Sequence, residues 1–448
     1  MGSGLAGRGA PLAALAGLFL AGVGALRLGQ AAAPAGSFGI AATEYATRRE
    51  SVARAAGGAL VLVHASAASE HYRIGRPRAD SDLFYLSGVE TPGAVLALLP
   101  PGDPAGRRSV LFLPHPAEGM ERWVTPWPGP DDGTRARAGV DAVADVQTLW
   151  SELAPAVRRA TDVRVVGPVD AARNALIVGR VRALNPEARV LGGAERWIHA
   201  LRARKSDAEV ANIRLAIEAT IAGHRAAARA VRPGVTELAV EGATIAAFRT
   251  AGAVREGFAG VVGSGPFSTV LHHRPTERVL KRGDLVVVDI GAERNYYTAD
   301  LTRTYPTGGR FTPRQRAIYE LVLEAQRACE QMVEPGRTTY DDLTRRAREV
   351  FQRSPLRARD EDGAEVTLER FFPHTIGHPI GLDVHDVGDL GVLHPGTVFS
   401  IEPGLYIPSE NLGVRIEDNY LVTATGLEKL SRALPSEPAA IEALMRAR

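Results

Sequence analysis

Four carboxylates in the C-terminal half of the chain interrupt runs of strand-forming residues that otherwise read as buried. They are Asp289 in Val286-Val-Val-Asp-Ile-Gly291, Asp300 in Tyr297-Thr-Ala-Asp-Leu301, Glu402 in Phe399-Ser-Ile-Glu-Pro-Gly404, and Glu417 in Val414-Arg-Ile-Glu-Asp418. Burying a carboxylate without a partner is very costly. Hairpin geometry brings them together. If Asp289 faces Asp300, the turn centres between Arg294 and Asn295; if Glu402 faces Glu417, it centres between Ser409 and Glu410. Both centres lie among turn-forming residues. Opposed residues hold their Cβ atoms about 4.5–5.5 Å apart on one face. Two like-charged pairs that close destabilise a fold unless a cation sits between them. A metal site is therefore the economical explanation; the bland alternative is four separate surface or ion-paired acids.

An internal repeat supports the pairing. Arg282-Gly283-Asp-Leu-Val-Val-Val-Asp289-Ile-Gly291 aligns with Pro395-Gly396-Thr-Val-Phe-Ser-Ile-Glu402-Pro-Gly404, so glycine, strand, acid and glycine recur at the same offsets. An imidazole source lies close by in sequence. Three of the 11 histidines fall within His374-Thr-Ile-Gly377-His378-Pro-Ile-Gly381-Leu-Asp-Val-His385-Asp386. Carboxylates with one imidazole form a hard, oxygen-dominated donor set, which suits Mn²⁺, with Co²⁺, Fe²⁺ or Zn²⁺ as alternatives. Paired bridging acids hold two ions about 3.5–4 Å apart, the arrangement that activates a water. Other histidines (His64, His71, His115, His199, His224 and His394) have no clustered partners and read as surface or core residues.

The elements that must position these groups form two parts. From Thr43 to Arg196, strands at 59–63, 94–99, 109–113 and 163–166 alternate with helices at 43–55 and 149–159, an α/β pattern. Trp197 to Thr220 reads as helix, but Ser206 and Glu209 have capping-box spacing, so a new helix is expected to start there. Helices at 207–231 and 236–252 follow, then strand pairs, a helix at 315–332 and further strand pairs, an α+β layout. The expected division is a leader at 1–35, an α/β domain at 36–203, a catalytic α+β domain at 204–434 and a tail at 435–448.

Composition bounds the rest. The 448 residues, 45% hydrophobic and 23% charged, suit a globular protein too long for one core, since single cores stop growing near about 250–300 residues. With 53 basic and 51 acidic residues the net charge is +2, and no basic block points to nucleic acid. The lone Cys329 lies on an amphipathic helix and reads as a small buried hydrophobe. Arg8, the apolar run Leu12–Leu26 and then Ala31-Ala-Ala-Pro-Ala35 have the order of a signal peptide, and the run falls short of the roughly 20 residues of a spanning helix. Export through this leader is the expectation; the alternatives are a cytoplasmic protein with a disordered leader, or an uncleaved anchor.

Taken together, Val-Val-Asp289-Ile-Gly-Ala, Ala-Asp300-Leu-Thr-Arg-Thr, Gly-His378-Pro-Ile-Gly-Leu-Asp-Val-His385-Asp, Ser-Ile-Glu402-Pro-Gly-Leu-Tyr406 and Val-Arg415-Ile-Glu417-Asp resemble the motifs of the M24 metallopeptidases, and within them of aminopeptidase P. Ala79-Asp-Ser-Asp-Leu-Phe-Tyr-Leu-Ser-Gly88 is similar to a segment of that family's metal-free N-terminal domain. The resemblance implies an α+β pita-bread catalytic domain preceded by a smaller α/β domain, a dinuclear metal site, and hydrolysis of the bond between an N-terminal residue and a following proline. It implies that Asp289 binds one ion, that Asp300 and Glu417 bridge both, and that His378 and Glu402 complete the ligand set of the second ion, Glu402 also carrying the proton. His272 and His385 would contact substrate, Arg415 would pair with the carboxylates, and Tyr406 belongs to the same neighbourhood. Partners would be peptides with proline second, and the assembly a dimer or tetramer. One departure stands out: after Leu271-His272 the family usually has Tyr and then a nearby Asn, whereas here His273-Arg274-Pro275 follows. Rival readings are an Xaa-Pro dipeptidase (prolidase), a methionine aminopeptidase or creatinase of the same fold, and a non-catalytic pita-bread binding module.

Overall fold

The computed structural model describes residues 36–65, 78–115, 119, 122–123, 125–167, 171–388 and 391–446. The expected leader at 1–35 and His71 lie outside the described residues. Among the described residues no helix is long and apolar enough to cross a membrane.

The N-terminal part is built on one sheet. Its strands are β1 (Leu60–His64), β2 (Val95–Leu98), β3 (Ser109–Leu113), β4 (Ala142–Asp145), β5 (Asp162–Val166) and β6 (Arg189–Leu191), in the order β4-β3-β2-β1-β5-β6. β1 pairs antiparallel with β2 and parallel with β5, so the sheet is mixed. β1, β2 and β3 are buried at every position, as expected of strands covered on both faces. The covering elements are α1 (Ala42–Ala55) and α2 (Ser81–Ser87) on one side and α3 (Leu149–Arg159) on the other, each face giving its own apolar cluster. Asp80 caps α2 by accepting from the Asp82 and Leu83 amides, and Gly88 ends it in the left-handed conformation.

A short helix α4 (Glu195–Arg202) ends before residue 206, where the long α5 (Asp207–Ala230) begins with Ser206 and Glu209 closing a capping box. The expected continuous helical stretch is therefore broken at 203–206, where the capping-box spacing placed the restart. α6 (Glu237–Thr250), α7 (Pro313–Met332) and α8 (Tyr340–Arg353) complete the outer layer of the C-terminal part. Their apolar faces and the strands beneath form the largest core cluster, which includes Cys329. The final residues, read as a tail, carry a helix at Pro438–Arg446 whose Ile441 is fully buried.

Two strand systems lie under these helices. In the first, β7 (Val261–Ser264), β8 (Leu285–Ile290) and β9 (Leu301–Pro306) pair antiparallel in that order. The chain between β8 and β9 forms a hairpin, Glu293 facing Thr298 and Arg294 facing Tyr297, with Asn295 and Tyr296 both at positive φ (52° and 70°). Such a pair matches the twist of the flanking strands. Tyr296 is held there by stacking on Phe84 of α2, ring centroids 3.9 Å apart. In the second system, β10 (Val398–Ile401) pairs with β13 (Asp418–Val422), and β11 (Gly404–Ile407) with β12 (Leu412–Arg415). An isolated bridge between Thr302 and Glu417 joins the two systems.

Gly291 marks the bend between β8 and its hairpin. A Cβ there would come within 1.9 Å of the Ala299 carbonyl oxygen and 2.6 Å of the Phe258 ring. Backbone cannot yield like a flexible side chain, so Gly291→Ala is expected to destabilise the protein by about 3 kcal/mol, the upper range for overpacking. Comparing denaturation midpoints tests this; an unchanged midpoint would remove the close approach as the reason for glycine.

Candidate active site

The carboxylates meet where the two strand systems join. Asp289 sits on β8 directly opposite Thr302, not opposite Asp300 as expected. Asp300 lies two positions before Thr302, just ahead of β9, so it shares a face with Asp289 as a diagonal neighbour. The other pair follows the expected register: Ile401 faces Asp418 and Gly404 faces Arg415, which sets Glu402 across from Glu417. His378 enters from the neighbouring segment, its carbonyl accepting from the Ser400 amide at 2.9 Å.

His378 Nε2 lies 3.4 Å from Asp300 Oδ2, 3.4 Å from Glu402 Oε1 and 3.9 Å from Glu417 Oε1. Its Nδ1 faces the Pro379 carbonyl at 3.2 Å, which turns Nε2 toward the carboxylates. Ligand-type atoms of Asp300, His378 and Glu417 all fall within 4.8 Å of one another. Asp289, Asp300 and Glu417 are buried. Three of their oxygens, Asp289 Oδ1, Asp300 Oδ1 and Glu417 Oε1, are buried without any hydrogen-bond partner. Orphaned buried acceptors of this kind are rare and ask for a cation.

Electrostatics say the same. Burial first, then the Glu417 and Asp289 charges, pushes the Asp300 carboxyl well above its usual range. Burial followed by the Glu402 and Asp289 charges raises Glu417 likewise. Glu402 is pushed up to about 8 by burial, even though Arg415 opposes the shift. His378 is held down at about 4 by burial and by His385.

Arg415 stands behind the carboxylates. It donates from Nη2 to Asp289 Oδ2 at 2.7 Å, from Nη1 to the Tyr406 hydroxyl at 2.8 Å and from Nε to Thr302 Oγ1 at 3.1 Å. Thr302 Oγ1 in turn donates to Glu417 Oε2 at 2.8 Å. With three donors committed and the side chain buried, Arg415 orients ligands; it is not placed to meet substrate. Sequence reading passed over two members of this network. Thr302 is one, hidden by its ordinary strand context. The other is His374, whose Nε2 lies 3.1 Å from the Tyr406 hydroxyl; its place in the histidine-rich run was the available signal.

His272 and His385 lie at the exposed margin. The His385 ring stands over that of His378, centroids 3.9 Å apart. The departure after His272 has a structural counterpart. His273 stacks on Phe267, centroids 4.5 Å apart, and its Nε2 lies 2.9 Å from Glu237 Oε2. Glu237 also accepts from Ser264 and Thr276, and these bonds with His273 outweigh burial to hold its carboxyl below the usual range.

Comparison with known proteins now places the chain. Residues 211–424 match metallopeptidase family M24, and residues 45–166 match the aminopeptidase P N-terminal domain. The Xaa-Pro aminopeptidase of Escherichia coli K12 is 32% identical over 398 residues, covering 82% of this chain and 89% of the relative. The chain belongs to the aminopeptidase P family of M24 metallopeptidases. Human Xaa-Pro aminopeptidase 3 is 30% identical over 81% of this chain and 76% of its own length. The solved structure of Pseudomonas aeruginosa aminopeptidase PepP superposes with a TM-score of 0.81 at 31% identity, covering 91% of this chain and 98% of that one. The fold is thus that of aminopeptidase P, an N-terminal α/β domain followed by the pita-bread catalytic domain. Membership of M24 implies divalent metal ions, and the orphaned carboxylate oxygens fit them.

Elsewhere the bland readings stand. His224 is buried between the Leu301 carbonyl and the Tyr305 hydroxyl, and burial holds it near 3. Burial pushes the Cys329 thiol up to about 12, which removes it as a nucleophile at neutral pH.

Proposed function

We propose that this protein is an Xaa-Pro aminopeptidase that releases the residue preceding a proline, using two divalent ions held by Asp289, Asp300, His378, Glu402 and Glu417. The observation that carries the reading is the convergence of these side chains with three carboxylate oxygens buried and unbonded. Mn²⁺ is the proposed native metal, because the donors are hard oxygens with one imidazole.

The ions, when bound, supply an activated water and polarise the scissile carbonyl. The chain's own groups do the rest. Glu402, less buried than the other acids, takes the proton from the attacking water and passes it to the departing proline nitrogen. His385 and His272 stand on the open margin, where they contact the substrate and the oxygen that gains charge. Arg415 and Thr302 keep Asp289 and Glu417 aimed inward. A bond to proline is a tertiary amide without an N–H. A site that relies on contacts to the carbonyl and to the departing secondary-amine nitrogen therefore suits it better than one that needs an amide donor.

The match to the aminopeptidase P N-terminal domain favours the aminopeptidase over prolidase. With Mn²⁺, the protein is expected to release arginine from Arg-Pro-Pro and to leave Ala-Pro and Ala-Ala-Ala intact, read by chromatography of the products. Turnover of Ala-Pro alone would instead mean a dipeptidase. No turnover of any of the three by metal-loaded protein would leave a creatinase-like hydrolase or a binding module.

A further inference from the structure

The segment 378–386 carries His378 at one end and His385 near the other, and the two rings lie 3.9 Å apart, with His378 Nε2 facing the carboxylates. Its first residues are fixed to β10, with the Ile380 amide donating to the Val398 carbonyl at 2.9 Å. The rest of it leaves the sheet and is held by the Asp386 amide donating to the Pro379 carbonyl at 2.9 Å, by the Thr298 amide donating to the Gly381 carbonyl at 2.9 Å, by the buried Leu382, and by a set of ion pairs from the N-terminal part and the linker at 203–206. Asp386, beside His385 and buried, receives Arg202 Nη2 at 2.6 Å and Lys205 Nζ at 2.9 Å. The exposures of these three side chains are 1–3%. Arg202 also reaches Asp383 at 2.7 Å and Asp82 of α2 at 2.7 Å. Arg78 pairs with Asp383 at 3.1 Å and with Glu293 at 2.7 Å, and it donates to the Leu382 carbonyl. Packing leaves no slack, since a Cβ on Gly381 would meet Asp386 Oδ2 at 2.0 Å and Lys205 Cε at 2.9 Å.

Buried ion pairs of this size add little net stability, because desolvation offsets the attraction. What they do well is hold one geometry. We infer that Arg202, Lys205 and Asp386, with Arg78 and Asp383 at the edge, are positioning residues that set His385 over the carboxylates, so that the α4–α5 linker acts on the reaction through the His385 segment. The N-terminal part then contributes to turnover by gripping this segment, beyond whatever it does at the entrance. The inference rests on the peptidase reading for its kinetic consequence but not for its structural one.

The test compares Lys205→Met, which keeps the stem's packing and removes the charge, with Asp383→Asn at the half-exposed edge. Metal content, circular dichroism, kcat and KM on Arg-Pro-Pro, and amide exchange across 379–388 are measured on each. Lys205→Met is expected to keep its metal and fold and to lose about ten- to a hundredfold in kcat with a smaller change in KM, as displacing a reacting group by about 1 Å does. Exchange across 379–388 should quicken in both variants, and Asp383→Asn should show the milder kinetic loss. Wild-type kcat and wild-type exchange in either folded variant would overturn the inference, as would a loss in Lys205→Met that merely follows lost metal or lost fold while Asp383→Asn behaves as wild type. Should the unmodified protein turn over no Xaa-Pro peptide, the peptidase reading fails, and the exchange data still decide whether the clamp holds the segment.

Discussion

Glu402→Gln is expected to keep the metal site loaded and the fold intact while lowering kcat on Arg-Pro-Pro by about 10³-fold, the mid-range for loss of a positioned acid–base group. The amide is isosteric and its oxygen can still face a cation, but it can neither take a proton from water nor return one to the proline nitrogen. Position supports the assignment. Glu402 stands across from Glu417 in strand register, yet it is the more exposed of the two, with side-chain exposure of 18% against 1%. The group that must reach both water and leaving nitrogen has to be the one open to substrate. Its Oε1 accepts from Ser400 Oγ at 3.3 Å, and that hydroxyl also receives the His378 amide, so carboxyl and imidazole share one anchor. Steady-state kinetics with metal analysis read the outcome. A Glu402→Gln protein that holds its metal and retains more than about a tenth of wild-type kcat would move the proton-carrying role elsewhere, since a positioned base contributes at least about 10²-fold.

Much of this centre was legible before any coordinates. Acids placed in apolar strands must meet something charged, and hairpins bring specified positions together. For Glu402 and Glu417 the register came out as expected, because Pro408-Ser-Glu-Asn411 is the sole turn signal between two well-formed strands, and Asn411 takes the left-handed conformation. For Asp289 and Asp300 the expected pairing was shifted by two residues on one strand. The real turn sits at Asn295 and Tyr296. A tyrosine at positive φ is no sequence signal for a turn; here distant groups hold it, Phe84 stacked on its ring and the Ala79 amide donating to its hydroxyl. The shift did not hide the site, because side chains alternate with period two and a two-residue shift keeps both acids on one face.

What sequence could not supply is the layer that crosses long separations. Thr302 reaching Glu417 and Arg202 reaching Asp386 join residues 115 and 184 positions apart. Each of these residues also has an ordinary local explanation as a polar strand or helix position. The strands β4 and β6 were missed for a related reason. Both are short and only partly buried, so their apolar runs are too weak to stand out from the helices and turns around them. Burial likewise turned a plain pattern of four acids into a statement about protons, which composition cannot make.

Stripping the protein with a chelator is expected to abolish turnover, to restore it on adding Mn²⁺, and to leave a fold whose stability depends on pH with a sign opposite to ordinary carboxylates. In the metal-free fold Glu402 is raised from 4.5 to about 8, and Asp300 and Glu417 are raised as well. The folded chain therefore binds more protons than the unfolded chain across that window. A group with a raised folded-state value stabilises fully below its unfolded value and loses that contribution as pH climbs through the folded one. Metal-free protein should thus weaken between about pH 4.5 and about pH 8. Bound cations replace those protons, so the stability gained on loading metal must grow over the same range. Asp82, Asp386 and Asp418 are shifted the other way by their Arg and Lys partners, which outweigh burial, except that His199 leads at Asp82. They weaken the fold at acid pH in both forms and cancel in the difference. The measurement is the difference in melting temperature between loaded and stripped protein from pH 5 to pH 8.5, joined to calorimetric titration of Mn²⁺ in buffers of unlike ionisation enthalpy. A rising difference with protons released on binding fits carboxyls that hold protons until a metal displaces them. A flat difference with no proton release would mean that these acids are already ionised or lie outside the metal's reach, and the proposed ligand set would have to be redrawn.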